Sequence, residues 1–460
     1  MFGGIKISLK QDREETKSKE SSEKAKKVVI DRVSVEEKYD FEALFEPIKI
    51  GDLEISNRIA MAPMNLLFST HDGFVTEQNI AWYARRAKGG FGLIITEAIL
   101  ATELAAPFIV YRNLFLHNDL FVTGLNTMVE AVHNFGAKIF SQLSIGLGRQ
   151  GRALDGTPPY APSPVPYEVP VEMLPEIFKP MASNPDMQQY MKGQTPREMT
   201  IEEIQSEEER YAEACLRVIT AGFDGIEIHA PHGYLLHQFL SPLSNKRTDD
   251  YGGSLENRMR FLVEITERTL ETVKSVIPVG VRISADEHMP KGLTLEEVKV
   301  IAKKLEDMGI AYLNISDGSY EALKYFFPDN IEHVKTVILK EAKELKDVLD
   351  VPVITPSIHD PVIAERAISE GVTDIAELGR QSIADPDWPN KVKEGKIDDI
   401  RRCNRCLQCL MRIMAGLYPR CAVNPEAGFE KYDPTLFPKK RKGGVMPEPL
   451  INWTFQSMSM

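Results

Sequence analysis

The chain has 460 residues, 43% hydrophobic and 27% charged, with a net charge of −12 and five cysteines. That length admits one large α/β barrel of about 250 residues or more with room to spare, and the composition is that of a globular enzyme. The acidic balance disfavours a nucleic-acid surface, which rests on clustered Lys and Arg, and no apolar run reaches the roughly 20 residues of a membrane helix.

The start of the chain lacks a basic stretch followed by an apolar one, so no secretory signal is read and a cytoplasmic location is expected. Residues 11–37 are mostly Lys, Glu, Ser, Asp and Arg, too polar to bury a core, and 1–40 is expected to be a flexible charged extension. Short β-branched runs then alternate with amphipathic stretches. The spacing predicts strands at 58–63, 91–98, 137–143, 223–229, 278–284, 310–316, 351–355 and 373–378, and helices at 201–221, 255–276 and 295–308. Eight strand–helix units in series imply parallel strands with helical crossovers, hence an α/β fold of the (β/α)8 TIM-barrel type over 41–398.

In such a barrel the chemistry sits at the C-terminal ends of the strands. That directs attention to 63–65, Gln142, 229–234, Arg282 and 379–380. The stretch 160–196, rich in Pro and Met, is long for a connecting loop and is either a lid or a passive insertion. Gly146, Gly148 and Gly151 spell GxGxxG after the third strand, but Gly156, Pro158, Pro159 and Pro162 follow where a dinucleotide site needs a helix, so this is a loop.

Four of the five cysteines crowd into the end of the chain: Cys403, Cys406 and Cys409 form CxxCxxC, and Cys421 follows. Four thiolates at this spacing suit a cubane iron–sulfur cluster or a structural zinc, and spacing alone does not choose. Cys215, alone on a helical stretch, reads as core filling.

The segment GIEIHAPHGYLLHQFLSPLSNKRTDDYGGSLENRMR, 225–260, resembles the Old Yellow Enzyme family. The likeness runs from about residue 44 to 428 and includes EPIKIGDLEISNRIAMAPMN near its start. It implies an FMN-dependent oxidoreductase. His229 and His232 would lie under a substrate carbonyl and Tyr234 near its α-carbon as proton donor. Neutral imidazoles can donate to an oxygen gaining charge, and a phenol with pKa near 10 can protonate a carbanion. The likeness places Ala62, Pro63, Met64 and Asn65 against the flavin. Asn65 stands where many members carry Thr or Cys, so a cysteinyl flavin there is excluded. Gln142 would bond the flavin pyrimidine, and Arg282 would favour the reduced anionic ring. Ser357, Gly379 and Arg380, in the loops after strands seven and eight, would hold the FMN phosphate, with Pro356 and Ser357 replacing a glycine pair common in the family.

The continuation through CNRCLQC to CAVNPEAG resembles the branches that contain 2,4-dienoyl-CoA reductases, 2-enoate reductases and trimethylamine dehydrogenase. That resemblance implies a [4Fe-4S] cluster on Cys403, Cys406, Cys409 and Cys421, within a segment 399–430 followed by a tail, 431–460. It leaves two small-molecule reactions open, reduction of an activated C=C bond and oxidation of an amine, beside a non-catalytic electron-transfer role that the intact HxxHGY disfavours. Long relatives append an FAD domain that this sequence does not show. A separate redox partner is therefore expected, an electron-transferring flavoprotein, a ferredoxin or an FAD subunit, with the cluster as a structural staple the alternative. Homo-oligomerisation is left open.

Overall fold

The computed structural model describes residues 40–108, 112–153, 155–183 and 191–436. The N-terminal extension before residue 40 and the tail beyond 436 lie outside the described residues.

Each apolar run forms a short strand: β1 (Ile59–Met61), β2 (Leu93–Ile95), β3 (Lys138–Ser144), β4 (Gly225–His229), β5 (Val279–Ser284), β6 (Tyr312–Ser316), β7 (Val353–Pro356) and β8 (Ile375–Leu378). All pair in parallel with their sequence neighbours, and β8 returns to β1 with Ala376 opposite Ile59, which closes the ring. The predicted (β/α)8 barrel is thus the observed fold. Most strands are shorter than expected at their edges because pairing stops where the ring opens into loops, and the third keeps its length but is shifted by one residue. Strands of a closed barrel are covered on both faces, which is why they read as apolar runs and not as alternations.

The helices pack outside the ring. The principal ones are α1 (Glu77–Lys88), α2 (Val122–His133), α3 (Ile201–Thr220), α4 (Leu255–Val273), α5 (Leu295–Met308), α6 (Leu339–Lys346), α7 (Pro361–Ser369) and α8 (Trp388–Lys393). Their starts are written locally: Thr200 with Glu203 and Thr294 with Glu297 each close a reciprocal capping box. On α3 the buried residues Ile204, Tyr211, Ala214, Cys215 and Val218 form one stripe at helical spacing, with Cys215 fully inside. A short antiparallel hairpin, Ile48–Ile50 with Leu53–Ile55, precedes β1.

Gly146 to Gly151 forms a loop with one turn of 3-10 helix, not a dinucleotide fingerprint. Gly148 has φ +57°, and a Cβ there would lie 2.2 Å from Gln238 Oε1. The 160–196 stretch is anchored: Tyr160–Ala161 pairs with Arg197–Glu198, and Val169, Leu174 and Phe178 pack with Leu407 of the cysteine segment. Its residues 184–190 lie outside the described set.

The cysteine segment docks on the five-residue helix Arg380–Ala384 that follows β8. The Gln381 side chain donates to Arg401 O (3.0 Å) and accepts from Cys403 N (2.9 Å), and Asn424 Nδ2 donates to Ile383 O (2.8 Å). Helix α9 (Gln408–Met414) follows. Beyond it the chain crosses to α1, where Glu430 pairs with Arg86 and Leu436 packs against Ala81, Ala84 and Ala131.

Candidate active site at the barrel mouth

Inside the ring, strand side chains that point inward meet in one polar chain. Gln142 Nε2 donates to Glu227 Oε1 (2.7 Å), and Asn314 Nδ2 bridges Glu227 Oε2 and Glu377 Oε1 (2.8 Å each). Arg282 Nη1 donates to both oxygens of Glu377 at 2.9 Å. Burial pushes the Glu227 carboxyl up to about 7, with Arg282 opposing and Glu377 adding to the rise. Gln142 and Arg282, both expected at the site, are therefore joined through three interior residues that the sequence reading passed over. The signal was present: Glu227, Asn314 and Glu377 each interrupt an apolar strand. Arg282 Nε and Asn314 Oδ1 are buried without hydrogen-bond partners among the described residues. Unsatisfied buried groups of this kind mark a place for a polar ligand.

Above Arg282, at the end of β4, the chain turns sharply through His232 (φ +67°) and Gly233 (φ +80°). That turn folds His229, His232 and Tyr234 onto one another, with ring centroids 5.4 Å apart for His229–Tyr234 and 5.6 Å for His229–His232. His229 is 6% exposed and neither ring nitrogen has a partner among the described residues. Burial, then Arg282 and His237, lowers its pKa to about 3. Burial and the neighbouring His229 likewise hold His232 well below the usual imidazole range. Both rings are thus neutral near pH 7. His232 Nε2 lies 2.6 Å from Ser316 Oγ, and its ring stacks on Phe326 at 3.9 Å. The Tyr234 hydroxyl is 3.1 Å from that of Tyr320, a residue in the loop after β6 that nothing in the sequence singled out. Tyr167 of the 160–196 stretch reaches Tyr320, with centroids 6.2 Å apart.

Next to this cluster the ends of β8 and β1 converge. Ala62 N donates to Leu378 O (3.2 Å), and a Cβ on Gly379 would lie 3.5 Å from Ala62 Cβ and 3.6 Å from Met64 Sδ. Pro63 and Asn65 continue this edge, and Leu66 N donates to the buried Glu97 at 3.2 Å. Ser357 takes φ +69°, a left-handed conformation that favours glycine. Arg380 donates to Pro328 O (2.8 Å) and keeps Nη1 buried without a partner among the described residues. Arg405, from within CxxCxxC, donates to the same carbonyl (3.2 Å) and reaches Ser357 O at 3.4 Å.

Arg380 joins this end to the cysteines. Burial lowers its pKa, while the thiolates of Cys403, Cys409 and Cys406 oppose the shift. Burial drives the Cys409 thiol up to about 11, and Cys403 and Cys421 are close enough to add to it. Among the described residues, the one group of three or more His, Cys, Asp or Glu ligand atoms within 4.8 Å of one another contains no cysteine. No three of the four sulfurs therefore lie within 4.8 Å of one another. A cleft at the opposite end of the barrel, lined by Asn57, Gly90 and Phe135, is remote from all these groups.

Residues 43–399 match the family model described as the NADH:flavin oxidoreductase / NADH oxidase family. The chain is 41% identical over 396 residues to an NADH oxidase of Thermoanaerobacter brockii, covering 85% of this chain and 57% of the relative. It is 36% identical over 417 residues to a cinnamate reductase of Clostridium sporogenes, covering 86% and 59%. It therefore spans less than two thirds of these relatives' lengths. Among solved structures, a 2-naphthoyl-CoA reductase complex superposes with a TM-score of 0.75 at 30% identity, over 86% of this chain and 58% of that one. Histamine dehydrogenase from Rhizobium sp. 4-9 superposes with a TM-score of 0.70 at 28% identity, over 85% and 53%.

Proposed function

The chain belongs to the NADH:flavin oxidoreductase / NADH oxidase family, and from that premise we propose that it is an FMN-dependent ene-reductase acting on a C=C bond conjugated to a carbonyl, acid or thioester. The observation that carries this reading is the pair of buried, neutral imidazoles, His229 and His232, packed beside the Tyr234 phenol. FMN held at the mouth would supply the hydride chemistry.

The residues available to hold the flavin are the Ala62, Pro63, Met64 and Asn65 edge, Gln142 and Arg282 at the ring end, and Ser357, Gly379 and Arg380 at the phosphate end. The unpartnered donors on Arg282 and Arg380 support this assignment. His229 donates an N–H to the substrate carbonyl oxygen as negative charge builds there. His232, with Nε2 on Ser316, has Nδ1 left for the same oxygen. The Tyr234 hydroxyl delivers its proton to the α-carbon, and Tyr320, 3.1 Å away, is placed to steady the phenolate left behind.

Likeness to histamine dehydrogenase supports amine oxidation as the second reading. Two neutral imidazoles able to donate to an anionic oxygen serve the enoate reaction, whereas an amine needs no such donors. Anaerobic mixing of the reduced protein with enoates, and of the oxidised protein with methylated amines, followed by flavin absorbance, separates the two. Reoxidation by an enoate is the expected result. Bleaching by an amine with no response to enoates would overturn the assignment.

The four cysteines, in this reading, ligate a [4Fe-4S] cluster. The mutual influence of Cys403, Cys409 and Cys421 and the nearby Arg380 and Arg405 support it. Arg380, common to the cysteines and the flavin-phosphate end, supports electron exchange between flavin and cluster, and a separate redox protein would be the cluster's outer partner. Anaerobically prepared protein is expected to contain about four irons and four labile sulfides per chain. Stoichiometric zinc without sulfide would sink the cluster.

A further inference from the structure

Behind the loop that carries Tyr320 lies a second cluster of charged side chains with no part in the chemistry above. His288, in the loop after β5, places Nε2 at 2.6 Å from Asp317 Oδ1 and 3.3 Å from Glu341 Oε1. Asp317 directly follows β6, and Glu341 sits on α6. One ligand atom from each of the three lies within 4.8 Å of the others. His333 brings Nε2 to 3.7 Å from Asp317 Oδ2.

The cluster is buried and incompletely satisfied. Asp317 is 3% exposed and Glu341 6%, yet Asp317 Oδ2, Glu341 Oε2 and His333 Nε2 have no hydrogen-bond partner among the described residues. No Lys or Arg ion pair among the described residues reaches either carboxylate; their charge partners there are histidines alone. One imidazole, His288, contacts both buried carboxylates, so it can balance at most one of the two charges, and a bound metal is a common remedy for the remainder. Two imidazoles with two carboxylates make a ligand set for a borderline divalent cation. The 3.3 Å separation of His288 Nε2 and Glu341 Oε1 is close to the roughly 3.4 Å edge of a tetrahedron with ligands about 2.1 Å from the metal, whereas the 2.6 Å contact of His288 with Asp317 Oδ1 is a hydrogen bond that the ion would replace.

We propose that His288, His333, Asp317 and Glu341 form a structural site for one zinc-class divalent cation. Such an ion ties the β5 and β6 loops to α6. It thereby fixes the backbone just beyond Ser316, which bonds His232, and the loop that presents Tyr320 and Phe326 to Tyr234 and His232.

The test uses the full chain with flavin and any cluster in place, stripped with EDTA and then given cobalt(II) or zinc(II). One cobalt per chain with a high-spin paramagnetic signal is expected, and zinc should raise Tm by roughly 5 °C. Glu341→Gln and His288→Gln should each abolish both effects while keeping flavin content. Failure of the parent protein to take up either ion, or equal uptake by the two variants, overturns the proposal. Zinc-edge X-ray absorption guards against a variant that does not fold. A first shell of nitrogen and oxygen only is expected in the parent protein, and sulfur in that shell would place the ion at the cysteines instead.

Discussion

Tyr234 and Tyr320 stand 86 positions apart in the chain and 3.1 Å apart at their hydroxyls. If Tyr234 supplies the proton, Tyr234→Phe should slow single-turnover reoxidation by an enoate roughly 10²–10⁴-fold and leave flavin reduction unchanged. Tyr320→Phe should give a smaller loss in the same step. Stopped-flow absorbance of both half-reactions checks this, and an unaltered oxidative step in Tyr234→Phe would remove the residue from the role. His229 offers a second reading at this scale. The unfolded chain takes up this proton near 6.5, the folded chain only near 3. The stability contributed by the neutral ring is complete above pH 6.5 and is lost as pH falls toward 3, by at most about 1.4 kcal/mol per pH unit. His229→Asn should flatten the acid side of the Tm profile across that window.

Among the elements, β2 and the segment after β1 are joined by one carboxyl. Glu97 accepts from Leu66 N (3.2 Å) and Asn79 Nδ2 (3.2 Å), and burial raises its pKa from 4.5 to about 8. The folded chain holds a proton there that the unfolded chain releases. The stability this contributes is full below pH 4.5 and is lost as pH rises through 8. Glu97→Gln keeps the shape and abolishes the titration, so its melting temperature should gain on the parent protein steadily from about pH 5 to pH 8.5. A constant difference across that range would show that Glu97 is ionised in the folded state. Glu97→Ala should also free the edge that carries Asn65 and weaken flavin retention, read by flavin fluorescence after gel filtration.

For the molecule as a whole, the cysteine segment is tied to the barrel at both its ends. At the near end Gln381 holds Arg401 and Cys403. At the far end Arg86, wholly buried, stacks on Trp82 at 3.4 Å and pairs with Glu430 at 2.7 Å. Removing Glu430 leaves a buried guanidinium without its counter-charge, so Glu430→Ala should cost about 3–5 kcal/mol. Arg86→Met combined with Glu430→Met should cost much less, because no orphaned charge remains. Denaturant unfolding of the three proteins checks the order. A loss in the double variant equal to that in Glu430→Ala would show that packing, not charge, holds the segment.

The barrel was legible in the chain's local patterns. Eight apolar runs, capping pairs such as Thr294 with Glu297, and amphipathic stripes are local signals, and each strand and the three predicted helices formed where those signals lay. The sequence also brought His229, His232 and Tyr234 into view, because they lie within six consecutive residues. Which distant side chains meet depends on the folded arrangement of the strands. Ring closure, with β8 returning to β1, sets the register that threads Gln142, Glu227, Asn314, Glu377 and Arg282 into one hydrogen-bonded chain. The same closure sets Tyr320 beside Tyr234, Arg405 beside Ser357, and Asp317 between His288 and His333. Period and capping are properties of neighbours along the chain, whereas these meetings depend on the relative heights of separate strands, which no local pattern encodes.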